Sequence, residues 1–356
     1  MRGRGLVEPN PMVGCVIVKD VRIIGEGWHQ CYGEAHAECN ALASCLESPQ
    51  GATAYVSLEP CCHTDKKTPP CVPALIAAGL SRVVVGCADP NPKVSGRGIV
   101  QLRDAGVQVD VGPLEAECRQ LIAPFIAHVV HHRPYVTLKW AQSADGKIAG
   151  PRGQHIQISN DRSMQVVHDL RSRCDAILVG INTILNDDPL LTARNGAGER
   201  QPVRVVLDRN LRIPVDSRIV QTARDIPTLV GTTSVALDTH AAKGRDLEGA
   251  GVMVIGCGDL NSVLEHLAGR FAVTHLLVES GRILASSLIE SNLVDRVWIF
   301  RSPKVIGAPT APSAAEVSYP HTGSRELSGD ILTEYLNPAS SVFFANVASA
   351  DLLMAG

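Results

Sequence analysis

The sequence predicts an α/β protein of two domains, each built on a mostly parallel sheet. The chain has 356 residues, which is enough for two separately buried cores. Its hydrophobic content of 45% and charged content of 19% are ordinary for a soluble globular protein. Short β-branched runs alternate with helical patterns along the chain, which favours parallel sheets covered by helices on both faces.

In the first half, strand and helix signals follow one another closely. The run 15–18 and the pair 23–24 predict a hairpin. We expect further strands at 54–58, 82–86 and 108–111, and helices that begin near His36 and cover 71–78. Residues 128–134 predict a solvated linker, although His131 and His132 could also suggest a metal site. The domains are therefore predicted at 1–132 and 133–356.

The second half repeats the alternation. Its predicted strands cover 135–141, 176–179, 203–207, 228–230, 252–255 and 275–278, and 308–330 is predicted to be a loop. Ser159 is a good N-cap for a helix that follows it. Strand 275–278 runs through Glu279, Ser280 and Gly281 into a helical pattern. Free N–H groups at such a turn bind phosphate well, although many strand-to-helix turns look alike.

Charge and cysteine content exclude several classes of protein. The net charge is -3 and no Lys/Arg block is present, which argues against a nucleic-acid binder and leaves a small anionic substrate. No apolar stretch approaches the roughly 18 residues of a membrane span. Eleven cysteines without a secretion signal argue against a disulfide framework. A cytoplasmic protein with reduced thiols is predicted.

The pattern with most chemical content joins His36-Ala37-Glu38 to Cys61 and Cys71. One imidazole and two thiolates can hold zinc and leave a fourth position for water, as in catalytic sites. Glu38 is then placed to move protons, and this combination is the zinc-deaminase signature. Residues two apart on a helix point to roughly opposite sides, so His36 and Glu38 can converge only in a first turn. There are two alternatives. The pattern could arise by chance, or the zinc could be structural, with Cys62 or His63 as its fourth ligand.

Taken together, the two halves resemble the bifunctional deaminase–reductase family of bacterial riboflavin synthesis. In the first half, the motifs are Pro9-Asn10-Pro11-x-Val13-Gly14, His36-Ala37-Glu38, Leu58-Glu59-Pro60-Cys61, Thr68-Pro69-Pro70-Cys71 and Asp89-Pro90-Asn91-Pro92. In the second half, they are Ser143-x-Asp145-Gly146, Ala176-Ile177-Leu178-Val179-Gly180, Asp187-Asp188-Pro189-x-Leu191-Thr192 and Pro303-Lys304-x-x-Gly307.

The resemblance implies a cytidine-deaminase-like N-terminal domain and a dihydrofolate-reductase-like C-terminal domain. It implies Zn²⁺ and NADPH as cofactors and a diaminopyrimidinone ribosylamine 5′-phosphate as substrate. The first domain would remove the 2-amino group by hydrolysis, with Glu38 relaying a proton to the departing ammonia. NADPH would then reduce ribose C1′, in its ring-opened imine form, to the ribityl chain.

The resemblance also carries site residues over by position. Those implied for substrate are Asn10, Asp89 and Asn91 in the deaminase, and His155, Arg171, Leu191, Arg194 and Glu279 in the reductase. Those implied for NADPH are Ala141, Gln157, Thr183, Asp187, Asp208, Gly281, Arg282, Ile283, Leu284, Ala285, Ser286 and Ser287. Arg209 is a hypothetical partner of the cofactor's 2′-phosphate, which an NADH/NADPH preference assay on Arg209→Ala would test.

Some positions depart from the family pattern. Gln157 replaces a usual Trp, His155 a usual Ser, and Ser280 a usual Gly, where a positive φ or a close phosphate would favour glycine. The segment between Cys61 and Cys71 is one residue longer than the common form. The family normally has a helix before Pro9, and this sequence begins almost at that motif. We expect either that the start is misassigned or that one sheet face lacks its cover, which predicts lower stability or stronger dependence on a partner subunit; a homo-oligomer is predicted.

Two other functions fit parts of the sequence. One is a single-activity zinc deaminase of nucleosides or tRNA, with an inactive reductase-like domain. Ammonia release from the diaminopyrimidinone but not from cytidine or tRNA excludes it. The other is a zinc-stabilised scaffold without catalysis, for which Glu38→Gln would leave any measured activity unchanged.

Overall fold

A computed structural model of the chain describes residues 2–3, 5–65, 67–193 and 201–343. Its described residues divide into two compact units, 2–132 with 341–343, and 133–340. Ser341 belongs to the first unit, where its backbone oxygen accepts a hydrogen bond from Arg119 Nη2 at 3.3 Å and its hydroxyl lies 2.8 Å from His131 Nε2. The sequence had placed this residue in the second domain.

The first unit is a five-stranded sheet flanked by helices. The elements are β1 (Gly14–Lys19), β2 (Arg22–Trp28), α1 (Ala37–Ala43), β3 (Thr53–Val56), α2 (Cys71–Ala77), β4 (Arg82–Val85), α3 (Arg97–Asp104), β5 (Gln108–Val111), α4 (Glu115–Leu121) and α5 (Ala123–His131). The strand order is β2-β1-β3-β4-β5, with β3, β4 and β5 parallel and β1 antiparallel to both neighbours. Its core joins one sheet face to α1, α2 and α3.

The second unit is a nine-stranded sheet. Its elements begin with β6 (Tyr135–Gln142), α6 (Asp161–Arg171), β7 (Ala176–Gly180), α7 (Ile181–Asp187), β8 (Val203–Leu207), α8 (Arg218–Gln221), β9 (Thr228–Thr232), α9 (Ser234–Thr239) and α10 (Ala241–Gly249). They continue with β10 (Met253–Gly256), α11 (Leu260–Phe271), β11 (His275–Glu279), α12 (Arg282–Glu290), β12 (Arg296–Arg301), β13 (His321–Leu327) and β14 (Asp330–Leu336).

Strand order in this sheet is β10-β9-β8-β7-β11-β6-β12-β14-β13, parallel from β10 to β12. The pairs β12–β14 and β14–β13 are antiparallel. Because the parallel strands point the same way, β6, β7, β8 and β11 end at one edge, which is where ligands of such sheets bind. The predicted α/β class is confirmed in both units.

Three details of the sequence prediction are wrong. Residues 128–131 are the last turn of α5, so the expected linker is shorter. The N-cap of α6 is Asn160, whose side chain accepts the Ser163 N–H at 2.9 Å, and not Ser159. Residues 321–327 form an edge strand; because most of its side chains are exposed, it lacks the apolar alternation that would have revealed it.

A buried arginine holds several loops of the second unit together. Arg204 on β8 is fully buried, and its guanidinium donates hydrogen bonds to the hydroxyls of Thr222 and Thr228 and to the carbonyls of Ile219 and Ile226. Burial lowers the pKa of Arg204 to about 10. A carbonyl left without its donor in the interior is costly, so this side chain stabilises the fold.

We therefore expect Arg204→Leu to lower the free energy of unfolding by about 3–5 kcal/mol, since several acceptors lose their donor together. Urea denaturation measures this change. Arg212→Leu is the control, because Arg212 is exposed, and its effect should stay within about 0.5 kcal/mol. Equal losses in the two variants would contradict the role given to Arg204.

Candidate functional site

Three side chains able to ligate a metal meet in the first unit. His36 is the N-cap residue of α1, Cys71 is the first residue of α2, and Cys61 lies beyond β3. His36 Nδ1 is 3.4 Å from Cys61 Sγ and 3.5 Å from Cys71 Sγ. Zinc bonds of about 2.0 Å to nitrogen and 2.3 Å to sulfur, at a tetrahedral angle, would separate such atoms by about 3.5 Å. The three residues therefore fit a zinc ion.

The number of ligands separates a catalytic site from a closed one. The ligand atoms of His36, Cys61 and Cys71 all lie within 4.8 Å of one another, and within the described ranges no other residue joins this group. Cys62 and His63, which the sequence offered as a fourth ligand, lie outside it. Three protein ligands leave one tetrahedral position for water or substrate.

Glu38 lies in the first turn of α1, where the sequence predicted that it must be to approach His36. Its side chain is buried, with 3% of the residue exposed. Burial, and then the nearby Cys61, raise the pKa of Glu38 to about 7. A carboxyl group with a pKa near neutrality can both accept and donate a proton at physiological pH.

His36, Glu38 and Cys61 border a cavity of about 270 Å³. Asn10, Asp89 and Asn91, the residues predicted to frame the pyrimidine, line it as well. The structure thus brings every predicted deaminase residue except Cys71 to the wall of one cavity, and Cys71 lies beside them. A cavity of this size accommodates a single heterocyclic ring and a small substituent.

Sequence reasoning did not assign Lys67 to the site. Lys67 nevertheless lines the same cavity, and its Nζ lies 4.3 Å from the centre of the Tyr32 ring. Lys66, next to it in the longer segment, is outside the described residues. An exposed ion pair of 2.7 Å joins Asp65 of this segment to Lys93. Lys67 adds a positive charge to a lining that also holds the acidic side chains of Glu38, Glu59 and Asp89.

Thr68 holds the ring of His36 in place. Its hydroxyl lies 3.1 Å from His36 Nε2, on the side of the ring opposite the two sulfurs. A proton on Nε2 donated to Thr68 leaves the lone pair of Nδ1 facing the metal. Partners of this kind fix the tautomer and orientation of ligating histidines.

Replacing this hydroxyl tests its role. We expect Thr68→Val to weaken zinc binding about 10–100-fold, the usual effect of removing such a partner. Competition with a chromogenic chelator measures the affinity. Thr64→Val, at an exposed position of the same segment, should bind zinc like the unchanged protein. Equal affinities of all three proteins would refute the assignment.

The second unit has a buried charge cluster at the edge where its parallel strands end. Glu279, the last residue of β11, accepts two hydrogen bonds from Arg171, of 2.6 and 3.0 Å. Lys139 on β6 places its Nζ 3.7 Å from Glu279 Oε2. Burial alone would raise the pKa of Glu279, but Arg171 and Lys139 lower it to about 2. Burial lowers the pKa of Lys139.

Arg171 and Glu279 were predicted as substrate residues, and the structure places them together. Lys139 was missed. The signal for it was a lysine within the apolar strand 135–141, at a position where side chains on both sides are buried. A charged residue in such a strand is buried only when it is paired, which points to a functional cluster.

The turn from β11 into α12 is the candidate cofactor site. Gly281 is the N-cap of α12, and Gly281, Arg282 and Ile283 are exposed there. Ser280 Oγ is buried and has no hydrogen-bond partner among the described residues. An unpaired hydroxyl beside the free N–H groups of a helix start fits an anionic group. Ser280 does not have a positive φ, so the expected backbone strain at this departure is absent.

Several predicted residues cannot contact a ligand through their side chains. Leu191, Asp208 and Ala285 are 3%, 0% and 1% exposed as whole residues, so almost none of their surface is open to a ligand. Asp208 Oδ2 instead accepts the Ile213 N–H at 2.7 Å and holds the loop after β8. Arg194 lies outside the described residues.

The remaining predicted residues occupy the strand-end edge or its surroundings. Asp187, the last residue of α7, lies with its Oδ1 3.0 Å from His155 Nδ1. The Gln157 side chain donates to the Ser159 carbonyl at 3.3 Å. The others are on β6, α7 and α12, namely Ala141, Thr183, Leu284, Ser286 and Ser287.

Comparisons with known proteins agree with this arrangement. Residues 2–87 match the cytidine and deoxycytidylate deaminase zinc-binding region, and residues 134–328 match the RibD C-terminal domain. The chain is 41% identical over 304 residues to the riboflavin biosynthesis protein RibD of Aquifex aeolicus, which covers 85% of this chain and 84% of that protein. For the Actinobacillus pleuropneumoniae protein of the same name, identity is 43%, covering 87% and 82%.

Solved structures match over nearly the whole chain. A Thermotoga maritima protein described as a diaminohydroxyphosphoribosylaminopyrimidine deaminase/5-amino-6-(5-phosphoribosylamino)uracil reductase has a TM-score of 0.81, 36% identity and 94% coverage of both chains. Acinetobacter baumannii RibD, form 1, has a TM-score of 0.82, 33% identity and the same coverage. The predicted pairing of a cytidine-deaminase-like domain with a dihydrofolate-reductase-like domain is confirmed. Among the described residues, no helix has the length and apolar character needed to cross a membrane.

Proposed function

The chain belongs to the RibD family of riboflavin biosynthesis proteins, and we propose that it performs both reactions named for its Thermotoga maritima relative. The first is hydrolytic deamination of the diaminopyrimidinone ribosylamine 5′-phosphate. The second is NADPH-dependent reduction of the ribosyl group to a ribityl chain. The observation that carries the proposal is the convergence of His36, Cys61 and Cys71 beside the buried Glu38.

In the deaminase unit, the chain supplies ligands, a proton carrier and a shaped cavity. Zinc bound by the three residues would supply the Lewis acidity that makes water nucleophilic near neutral pH. Glu38 takes a proton from the attacking water and delivers a proton to the departing ammonia, which its pKa of about 7 suits. Asn10 and Asp89 orient the ring, and Lys67 attracts the phosphate.

In the reductase unit, the buried cluster holds the substrate against the cofactor. Bound NADPH would supply the hydride for C1′, and the imine nitrogen would then need a proton from the protein. Lys139 is the donor that we assign, because burial lowers its pKa and Glu279 holds it in place. The exposed start of α12 and the unpaired Ser280 hydroxyl support a pyrophosphate-binding role for this turn.

A coupled assay on one purified sample tests the proposal. Zinc content, ammonia release and NADPH oxidation are measured with the diaminopyrimidinone as substrate. We expect about one zinc per chain and one NADPH oxidised for each ammonia released. Ammonia release from cytidine or tRNA but not from the diaminopyrimidinone would overturn the substrate assignment. Ammonia without NADPH oxidation would overturn the second activity.

Glu279→Gln tests the reductase cluster. Removing its charge leaves Arg171 and Lys139 buried without their carboxylate, so we expect the reductase kcat/KM to fall about 100-fold through misplaced groups. Deaminase activity should not change. Glu265→Gln, at an exposed position of α11, is the matched control. Full reductase activity in Glu279→Gln would show that the cluster is not part of the site.

We also propose that the protein is a homo-oligomer and is located in the cytoplasm. Ile23 and Tyr55 lie on one face of the first sheet with Val16 and Val18, and they are 63% and 44% exposed. This apolar face supports a homo-oligomer, which light scattering would measure. All eleven cysteines, each in the described part of the chain, carry thiols, which supports a cytoplasmic location.

A further inference from the structure

Glu59 is a buried carboxylate to which the sequence and the comparisons assign no role. It lies two residues before Cys61 and is 3% exposed. Its Oε2 accepts the N–H groups of Asp89 and Gly96, at 3.1 and 2.9 Å. Its Oε1 accepts those of Gly98 and Ile99, at 3.0 and 3.4 Å. One side chain thus receives hydrogen bonds from four backbone groups on a distant segment of the chain.

These four contacts fix the wall of the deaminase cavity. Asp89 and Asn91 line it, and Asp89 Oδ1 accepts the Asn91 N–H at 2.8 Å, so both residues depend on where the Asp89 backbone is held. Segment 89–99 also packs closely against Pro60, the residue before the metal-ligating Cys61. A Cβ added at Gly98 would clash with the Pro60 carbonyl oxygen.

The hydrogen-bond pattern requires a carboxylate. Each oxygen of Glu59 accepts two N–H groups, and an ionised carboxylate is a pure acceptor at both atoms. Glutamine has one acceptor atom, so its NH₂ group would face one pair of N–H donors and lose both bonds. The segment on that side must then move away from the strand end.

We propose that Glu59 is a positioning residue for deamination, holding segment 89–99 so that the pyrimidine ring meets the group formed by His36, Cys61 and Cys71. This inference rests on the proposed function. Glu59 also lines the cavity, but both of its oxygens are occupied by backbone N–H groups, so its effect passes through Asp89 and Asn91. The expected consequence of its loss is weaker and less well aligned binding of the ring, with metal binding retained.

Steady-state kinetics of the zinc-loaded full chain test the proposal. For Glu59→Gln we expect KM for the diaminopyrimidinone to rise at least about tenfold and kcat to fall less, with zinc content unchanged. The reductase, assayed on the deaminated intermediate, should be unaffected. Glu59→Asp keeps two acceptor oxygens on a shorter side chain. Its KM should therefore lie between the values of Glu59→Gln and the unchanged protein. Glu117→Gln, exposed on α4, should match the unchanged protein.

The outcomes separate this proposal from the one on which it rests. If the unchanged protein releases no ammonia from the diaminopyrimidinone, the proposed function fails. If the unchanged protein is active and the KM of Glu59→Gln equals that of the unchanged protein, the positioning role is wrong. Loss of zinc or of kcat alone, with KM unchanged, would also overturn it. Should Glu59→Gln not fold, the KM of Glu59→Asp decides, since the proposal requires it to exceed that of the unchanged protein.

Discussion

Replacing Glu38 with glutamine is expected to lower the deaminase kcat by about 10²–10⁴-fold, the usual contribution of general acid–base catalysis. The amide is nearly the same size as the carboxyl group but cannot take a proton from water. Glu38 is 3% exposed beside the metal-ligating residues, so no solvent-borne base can easily replace it. Because glutamine leaves His36, Cys61 and Cys71 unchanged, zinc content should stay the same.

Ammonia release and zinc content, measured on the same preparation, check this expectation. Glu34→Gln is a matched control, since Glu34 is exposed just before His36. It should retain full deaminase activity. A Glu38→Gln protein as active as this control, with its zinc present, would support the scaffold interpretation and contradict the enzyme.

Removing the metal should abolish the deaminase and spare the reductase. The ligands belong to the first unit, whereas Lys139, Arg171 and Glu279 belong to the second. Dialysis against a chelator is therefore expected to eliminate ammonia release, while NADPH oxidation with the deaminated intermediate continues. Added zinc should restore the lost activity, because the three ligands already lie at zinc-compatible distances.

Two results would contradict the expectation that zinc removal abolishes only the deaminase activity. Ammonia release that survives complete loss of zinc would mean that His36, Cys61 and Cys71 do not form the catalytic centre. Parallel loss of both activities would mean that zinc stabilises the whole chain. The thermal unfolding midpoints of the metal-free and reloaded protein distinguish this second result from a direct effect on catalysis.

The local geometry of the first site could be predicted from sequence because it depends on the conformation of short stretches of the chain. The spacing of His36 and Glu38 required a helix start, and the structure has His36 as N-cap with Glu38 in the first turn. Cys71 was likewise expected near a helix start, and it is the first residue of α2. The strands that deliver these residues were visible as short β-branched runs.

Other features depend on contacts between distant parts of the chain and leave little local signal. The four hydrogen bonds to Glu59 form only when segment 89–99 folds back on Cys61. The burial of Leu191 and Asp208 follows from packing that family motifs do not specify. Lys139 was overlooked because the sequence of its strand is typical of a buried core strand. Its partner Glu279 is also 140 residues away in sequence.

X-ray absorption at the zinc edge of the zinc-loaded protein tests the central claim most directly. The account predicts two sulfur neighbours at about 2.3 Å and two nitrogen or oxygen neighbours at about 2.0–2.1 Å, one of them an imidazole. Substituting Cys61 or Cys71 with serine should remove one sulfur each. Three or four sulfurs, or two imidazoles, around the metal would show a closed shell of protein ligands and would contradict a site open to water and substrate.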